Sequence, residues 1–396
     1  MYKPELLAPA GNLEKIEWAV AYGADAVYFG MQDFSLRNFA DNFTLEDAAK
    51  GIKFLHERNK KGYVTLNIYP FSDEIPKMID LARQLEEIGV DAFIVSDLGF
   101  IFELRKNGIK VPVHISTQAN SVNYQTVLAY RELGAKRVNL ARELSIKQIE
   151  EIQNNIAGKD IETEIFIHGA ICFSISGRCA ISDYMTGRRA NRGECTHPCR
   201  WGYYLSEQKR ENQFFPVFED KRGLYFFNNK DMALFPYIKR LKELQISSFK
   251  VEGRMKTIHY LATVLSVYRR ALDGEVLSEE EGLELLNRVP NRGYSAGFMK
   301  GFITPEDYRF EEVDDSANSL FVANSIGEHE LRVRNKIYAG ESLEMLAPGG
   351  ILKKIVMPDP LVKKQGEMVD TANNEDILII QEKLPGYAIL RRVDGR

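Results

Sequence analysis

A (β/α)8 barrel of the TIM type, with a Cys-rich insertion after its seventh strand and a small antiparallel β-barrel domain behind it, is the architecture this sequence predicts. Three observations lead there. One phrase, a helical stretch that closes near a glycine and runs into a short apolar strand, recurs along the first 255 residues. Its strands are continuous apolar runs, as expected where both faces of a parallel sheet are covered. From about residue 315 the chain changes to short stretches that alternate apolar and polar residues between turns.

The phrase is clearest in "AVAYGADAVYFG" (19–30), "QLEEIGVDAFIVSD" (84–97), "YRELGAKRVNLAR" (130–142) and "LKELQISSFKVEG" (241–253). Looser copies are "RNKKGYVTLNIYP" (58–70), "RKNGIKVPVHIST" (105–117) and "DIETEIFIHG" (160–169). Glycine suits the left-handed position that ends a helix. With "PELLAPAG" at the start, strands are expected near 4–7, 25–29, 63–68, 92–95, 112–115, 137–140, 164–167 and 248–251. A doubly wound sheet is the alternative, but eight βα units and the lack of a Gly-rich phosphate fingerprint favour the barrel. Early strands start about 20–38 residues apart, whereas the seventh and eighth are separated by an insertion at about 170–235. That insertion leaves the C-terminal face of the barrel, where this fold carries its active sites. Amphipathic helices at 256–274 and 278–289 are expected to close a barrel domain of residues 1–305, leaving 306–396 for the β-domain.

Hydrophobic residues make up 44% of the 396 and charged residues 27%, the composition of an ordinary globular protein. The start, "MYKPELLAPAGNLEK", has no apolar core of a signal peptide, and no run approaches a membrane-spanning length. A cytoplasmic location without membrane attachment is the expectation. A net charge of -4 argues against a protein that coats nucleic acid nonspecifically. Between 178 and 210, however, six arginines and one lysine face only three acidic residues, a local excess able to meet phosphates.

All four cysteines, Cys172, Cys179, Cys195 and Cys199, fall in that insertion with the spacing Cys-x6-Cys-x15-Cys-x3-Cys. Buried structural cysteines are ordinarily dispersed, and thiols stay reduced in the cytoplasm, so a metal site is the expectation. The spacing lacks the tight C-x2-C knuckles of zinc ribbons. Four thiolates on an irregular Gly- and Arg-rich loop suit a [4Fe–4S] cluster, and Zn2+ remains the alternative. His197 is a candidate to replace one thiolate.

The same segment carries a resemblance. Glu164, Phe166, Gly169, Ala170, Ile171, Cys172, Gly177, Cys179, Ile181 and Ser182 match the signature of the collagenase-like peptidase family U32. The likeness spans nearly the whole chain, through "LLAPAGNLEK", "STQANSVN", "NLARELS", "NRGECTHPCRW" and "FKVEGRMK". "CTHPCRW" and the stretch after "KVEGR" look most like a subgroup that hydroxylates tRNA, resembling prephenate-dependent 5-hydroxylases of the wobble uridine. Sister subgroups hydroxylate ribosomal RNA or a quinone precursor without dioxygen and hold [4Fe–4S] clusters on cysteines of this segment. In some relatives one ligand lies downstream; here the matching stretch is "NKDMAL", with Met232 and Ala233 and no thiol, so Cys199 would complete the set.

What the resemblance implies is a redox centre, a cationic pocket for the dicarboxylate prephenate, and a surface for the tRNA anticodon loop, all at the barrel mouth. Arg142, Arg178 and Arg254 are the candidate pocket cations, since guanidinium groups bind carboxylates bidentately. A salt bridge to Glu143 or Glu252 is the competing reading for them. Gln118 and Asn67 are further candidate substrate contacts at strand ends, and His168, Asn139 and Glu252 the candidate catalytic groups. Arg188, Arg189, Arg192, Arg200 and Trp201 are the candidate RNA contacts.

Two other functions stay open. One is a peptidase, although "HERNK" fails the HExxH pattern and no G-x-S-x-G elbow is present. The other is a zinc-stabilised RNA-binding scaffold, serving as partner to a paralogous U32 subunit.

Overall fold

The computed structural model describes residues 3–36, 42–172, 174–201, 218–220, 223–225, 229–301, 303, 304, 307 and 318–393. Eight parallel strands close on themselves: β1 (Glu5–Pro9), β2 (Ala26–Gly30), β3 (Lys61–Leu66), β4 (Ala92–Val95), β5 (Val113–Ile115), β6 (Ala135–Asn139), β7 (Glu162–Ala170) and the eighth barrel strand, Ser248–Val251. Each pairs in parallel with the next, and Ser248–Val251 pairs with both β7 and β1, which closes the ring. Helices α1 (Leu13–Ala21), α2 (Leu45–His56), α3 (Ile75–Ile88), α4 (Leu98–Lys106), α5 (Tyr124–Glu132) and α6 (Ile146–Ile156) follow the first six strands. Their starts are written in side chains. Thr44, Asp97, Asn123 and Ser145 each accept a backbone N–H of the first turn, and Thr44 and Ser145 complete capping boxes with Asp47 and Gln148. Gly89 ends α3 in the left-handed conformation.

The long gap before the last barrel strand holds α7 (Ile181–Thr186), the hairpin of Phe218–Asp220 and Gly223–Tyr225, strand Asp231–Ala233 and helix α8 (Ile238–Glu243). β7 is longer than expected because its C-terminal end pairs antiparallel with Asp231–Ala233, which places Ala233 opposite His168. The "NKDMAL" stretch is therefore a sheet strand with buried Met232 and Ala233.

By compactness the chain divides into two units: residues 1–16, 25–255 and 292–314, and residues 17–24, 256–291 and 315–396. Helices α9 (Ile258–Asp273) and α10 (Glu279–Leu286), expected with the barrel, group with the β-rich unit instead. The reason is visible in their contacts: His259 stacks on Phe321 at 5.4 Å, the buried Arg391 donates to Thr263 Oγ1 (3.2 Å), and Ser319 Oγ donates to Arg288 O (2.7 Å). The eight-stranded sheet of this unit is antiparallel throughout, running from edge strand Ile351–Val356 to edge strand Met368–Val369. Its alternating apolar residues, among them Val322, Leu331, Leu343, Met345 and Leu390, form one buried core.

Charge runs through the barrel interior. Glu164 on β7 accepts from Asn139 Nδ2 (2.7 Å) and pairs with Lys250 Nζ (3.1 Å) and Arg137 Nη1 (3.5 Å). Arg137 continues to Glu5 (2.6 Å), which also accepts from Tyr63 (2.7 Å) and Ser248 (3.2 Å). Lys250 lies over the Tyr28 ring at 4.4 Å. Burial opposes the charge of Glu164, yet Lys250 and Arg137 outweigh it and hold the carboxyl below its ordinary range. Burial pushes Lys250 down, with Glu164 opposing. His114 is held neutral by burial and by the charges of Arg137 and Lys250.

Replacing Glu164 with Gln leaves the buried Lys250 without its carboxylate, while Arg137 keeps Glu5, and urea titration should show a loss of about 3–5 kcal/mol. A depressed carboxyl contributes its full stability above the ordinary carboxylate pKa and loses it as the pH falls from there through its lowered value in the fold. The wild type should therefore lose stability below about pH 4, and Glu164→Gln should show a flatter acid limb.

Candidate functional site

The polypeptide leaving β7 turns back across the C-terminal mouth of the barrel and is pinned there at three places. Ser176, at a positive φ of 49°, donates its N–H to Glu143 (2.6 Å) and its hydroxyl to Asn120 (2.8 Å). Arg178 Nε donates to Tyr69 Oη and to Gln118 O, both at 3.1 Å. Arg192 forks onto Glu74, with Nη1 to Oε2 at 2.9 Å, and donates to Tyr69 O (3.2 Å). These contacts reach the loops after β3, β5 and β6, so the segment spans the mouth. Gly169 makes its start possible: its φ is 121°, and a Cβ there would stand 2.6 Å from Glu252 Cβ.

The same folding ties together stretches that carry the thiols. Ser182, three residues after Cys179, shares a 3.1 Å hydrogen bond with Thr196, next to Cys195, and also accepts the Thr196 N–H (3.2 Å). The Ile181 N–H donates to Cys179 Sγ (3.4 Å). Cys199 sits in the turn Pro198–Arg200, which follows a left-handed His197. Crowding raises the Cys172 thiol; the Ser174 backbone N–H and Arg142 oppose this, while Cys179 and Cys195 add to it. Cys172 is thus within electrostatic reach of Cys179 and of Cys195, and none of the four cysteines forms a disulfide. Among the described residues no three His, Cys, Asp or Glu side chains form a grouping that could hold a single metal ion. The donor chemistry, four thiols with backbone N–H groups on two of the sulfurs, nevertheless fits a thiolate-ligated centre.

The remaining candidates divide by depth. Asn139, buried at the end of β6, donates to Glu164 and leaves its Oδ1 without a partner. Gln118 Oε1 and Asn67 Oδ1 are likewise buried and unpartnered, although Asn67 Nδ2 reaches Ser116 (3.4 Å). Arg254 is buried and donates to Ser35 (2.7 Å) and Thr65 (3.2 Å); glycine at position 30 leaves its guanidinium room. Arg142 pairs with Glu252 (2.8 Å), donates to Ala170 O and lies over the Phe166 ring at 3.9 Å. The competing salt-bridge reading therefore holds for Arg142, whereas Glu143 serves Ser176. His168 is buried, its ring 5.3 Å from Tyr294.

Nearer solvent, Arg188 and Arg189 are exposed and Trp201 is partly so. Arg192 is committed to Glu74, whose carboxyl it holds down against burial, with help from the Phe71 N–H. The side chain of Arg200 lies outside the described residues. Sequence reading missed Lys250, a lone lysine in an apolar strand, and the aromatics Tyr69 and Phe71 after β3. An aromatic pair in a loop beyond a barrel strand was the signal available for the latter.

Fold and site define a (β/α)8-barrel protein with a thiol-bearing segment across its C-terminal mouth. The chain belongs to peptidase family U32: residues 11–307 match that family and residues 320–391 match the peptidase family U32 C-terminal domain. It is 36% identical over 399 residues to the tRNA hydroxylation protein P of Escherichia coli (strain K12), covering 88% of this chain and 87% of that protein. The tRNA hydroxylation protein P1 of Bacillus subtilis (strain 168) is 39% identical over 358 residues, covering 87% and 84%. A collagenase of Porphyromonas gingivalis is 31% identical over 312 residues, covering 75% and 73%. Among the described residues no helix is long and apolar enough to cross a membrane.

Ser182 is fully buried and ties together the stretches that carry Cys179 and Cys195. Ser182→Ala should cost about 1–3 kcal/mol locally. Limited proteolysis should cut the 179–199 segment faster, with little change in the melting temperature of the whole chain.

Proposed function

We propose that this protein hydroxylates tRNA: it installs a hydroxyl at C5 of the wobble uridine in a prephenate-dependent reaction without dioxygen, in the cytoplasm. The observation that carries the reading is the placement of four thiols in a segment laid over the barrel mouth, in a chain more than a third identical to two proteins named for tRNA hydroxylation. Cys172, Cys179, Cys195 and Cys199 would hold a [4Fe–4S] cluster, which when bound supplies redox or Lewis-acid chemistry.

The chain's own residues do the rest. Asn67, Gln118 and Asn139 offer buried amide groups whose oxygens lack partners, the kind of group that fixes a small polar ligand. Arg254, which donates to the hydroxyls of Ser35 and Thr65, would receive a carboxylate of the substrate. Arg142 is paired to Glu252 and positions the end of β7 instead. Arg188 and Arg189 meet RNA phosphates outside the pocket.

The collagenase relative favours a second reading, a U32-type peptidase. Nucleoside mass spectrometry of tRNA from a deletion strain separates the two. Wobble hydroxyuridine derivatives should vanish on deletion, return with the wild-type gene, and stay absent with Cys172→Ala. Unaltered tRNA in the deletion strain, together with gelatin cleavage by the purified protein, would replace the first reading with the second.

A further inference from the structure

Beyond the predicted arginines, the structure holds an aromatic group that neither sequence reading nor the proposed chemistry used. Phe71 lies in the loop after β3, at the rim where the thiol segment crosses. Its side chain is half open to solvent, at 51% exposure. The guanidinium of Arg192 stands 4.8 Å from the ring centroid and that of Arg189 5.5 Å.

The ring does not lie there by chance of a floppy loop. Glu74 accepts the Phe71 N–H (2.6 Å) and in the same geometry forks with Arg192. Tyr69, two residues earlier, donates its hydroxyl to Gln118 O (2.6 Å) and accepts Arg192 through its carbonyl (3.2 Å). Backbone, flanking cation and carboxylate thus fix one another, while the apolar ring at the centre stays exposed. A packing role would cover the ring. A preorganised ring that keeps half its surface open beside the guanidiniums lying over it fits an unpaired nucleobase, which stacks on the open part of the ring while its phosphate meets Arg189.

We infer that Phe71 is the stacking platform for an unpaired base of the RNA loop, with Arg189 as the adjoining phosphate contact. The inference rests on the RNA reading of the site above and names where on the rim that RNA is gripped.

The test is binding of a labelled anticodon stem-loop RNA, followed by fluorescence anisotropy across a salt series, to the full chain and its Phe71→Ala, Phe71→Trp and Arg189→Gln variants. Phe71→Ala should weaken binding about tenfold or more with the salt slope unchanged, and Phe71→Trp should bind like wild type. Arg189→Gln should weaken binding and lower the salt slope by about 1. Wild-type affinity in Phe71→Ala overturns the platform while leaving the RNA reading standing. Equal loss in Phe71→Ala and Phe71→Trp also overturns it, since a loop-shape effect then suffices. Failure of the wild type to bind the stem-loop at low salt overturns the RNA reading and the platform together.

Discussion

The barrel closes around one buried carboxylate. Glu164 stands on β7, the strand that must join the last barrel strand, and it gathers Lys250 from that strand with Arg137 and Asn139 from β6. Burying these charges costs several kcal/mol each, and only their mutual pairing offsets that cost. The arrangement therefore works as a set: remove one member and the others become liabilities. Two residues further along β7, Phe166 carries Arg142 at 3.9 Å on its ring and Lys250 at 5.3 Å. Arg142 then holds the carbonyl of Ala170, from which the thiol segment departs. A continuous chain of contacts thus runs from the barrel interior to the first cysteine.

That continuity gives the thiol segment its position. An irregular segment of this length, with little secondary structure of its own, has few backbone hydrogen bonds to order it. Here order comes from three loops: Tyr69 and Glu74 after β3, Asn120 and the Gln118 carbonyl after β5, and Glu143 after β6. The arginines between the cysteines divide their work accordingly. Arg178 and Arg192 anchor the segment to the rim, and Arg188 and Arg189 remain toward solvent.

The repeated helix–glycine–strand phrase found seven of the eight barrel strands and the apolar opening stretch "PELLAPAG" gave the other, because parallel strands buried on both faces leave an unbroken apolar signal. The same reasoning placed the cysteines on the C-terminal face. It could not foresee that β7 would extend through Ala170, since the strand that pairs with that extension lies some 60 residues away in sequence. Nor could it assign α9 and α10, whose amphipathic pattern shows that a face is buried but not against what. The interior charges were hidden for a related reason. Glu164 and Lys250 look like single interruptions of apolar runs until the register sets them side by side. Among the site residues, the cysteines announced themselves by clustering, whereas Arg142 and Arg192 required coordinates to show that each is already paired.

The central claim is that the four thiols at the barrel mouth serve one iron–sulfur cluster. Iron and acid-labile sulfide, measured on protein purified and reconstituted without oxygen, test it most directly. The account predicts about four of each per chain, with absorbance near 400 nm that is lost in Cys199→Ala as in Cys172→Ala. Zinc without iron or sulfide in the same preparation, or an undiminished cluster in both variants, would contradict it.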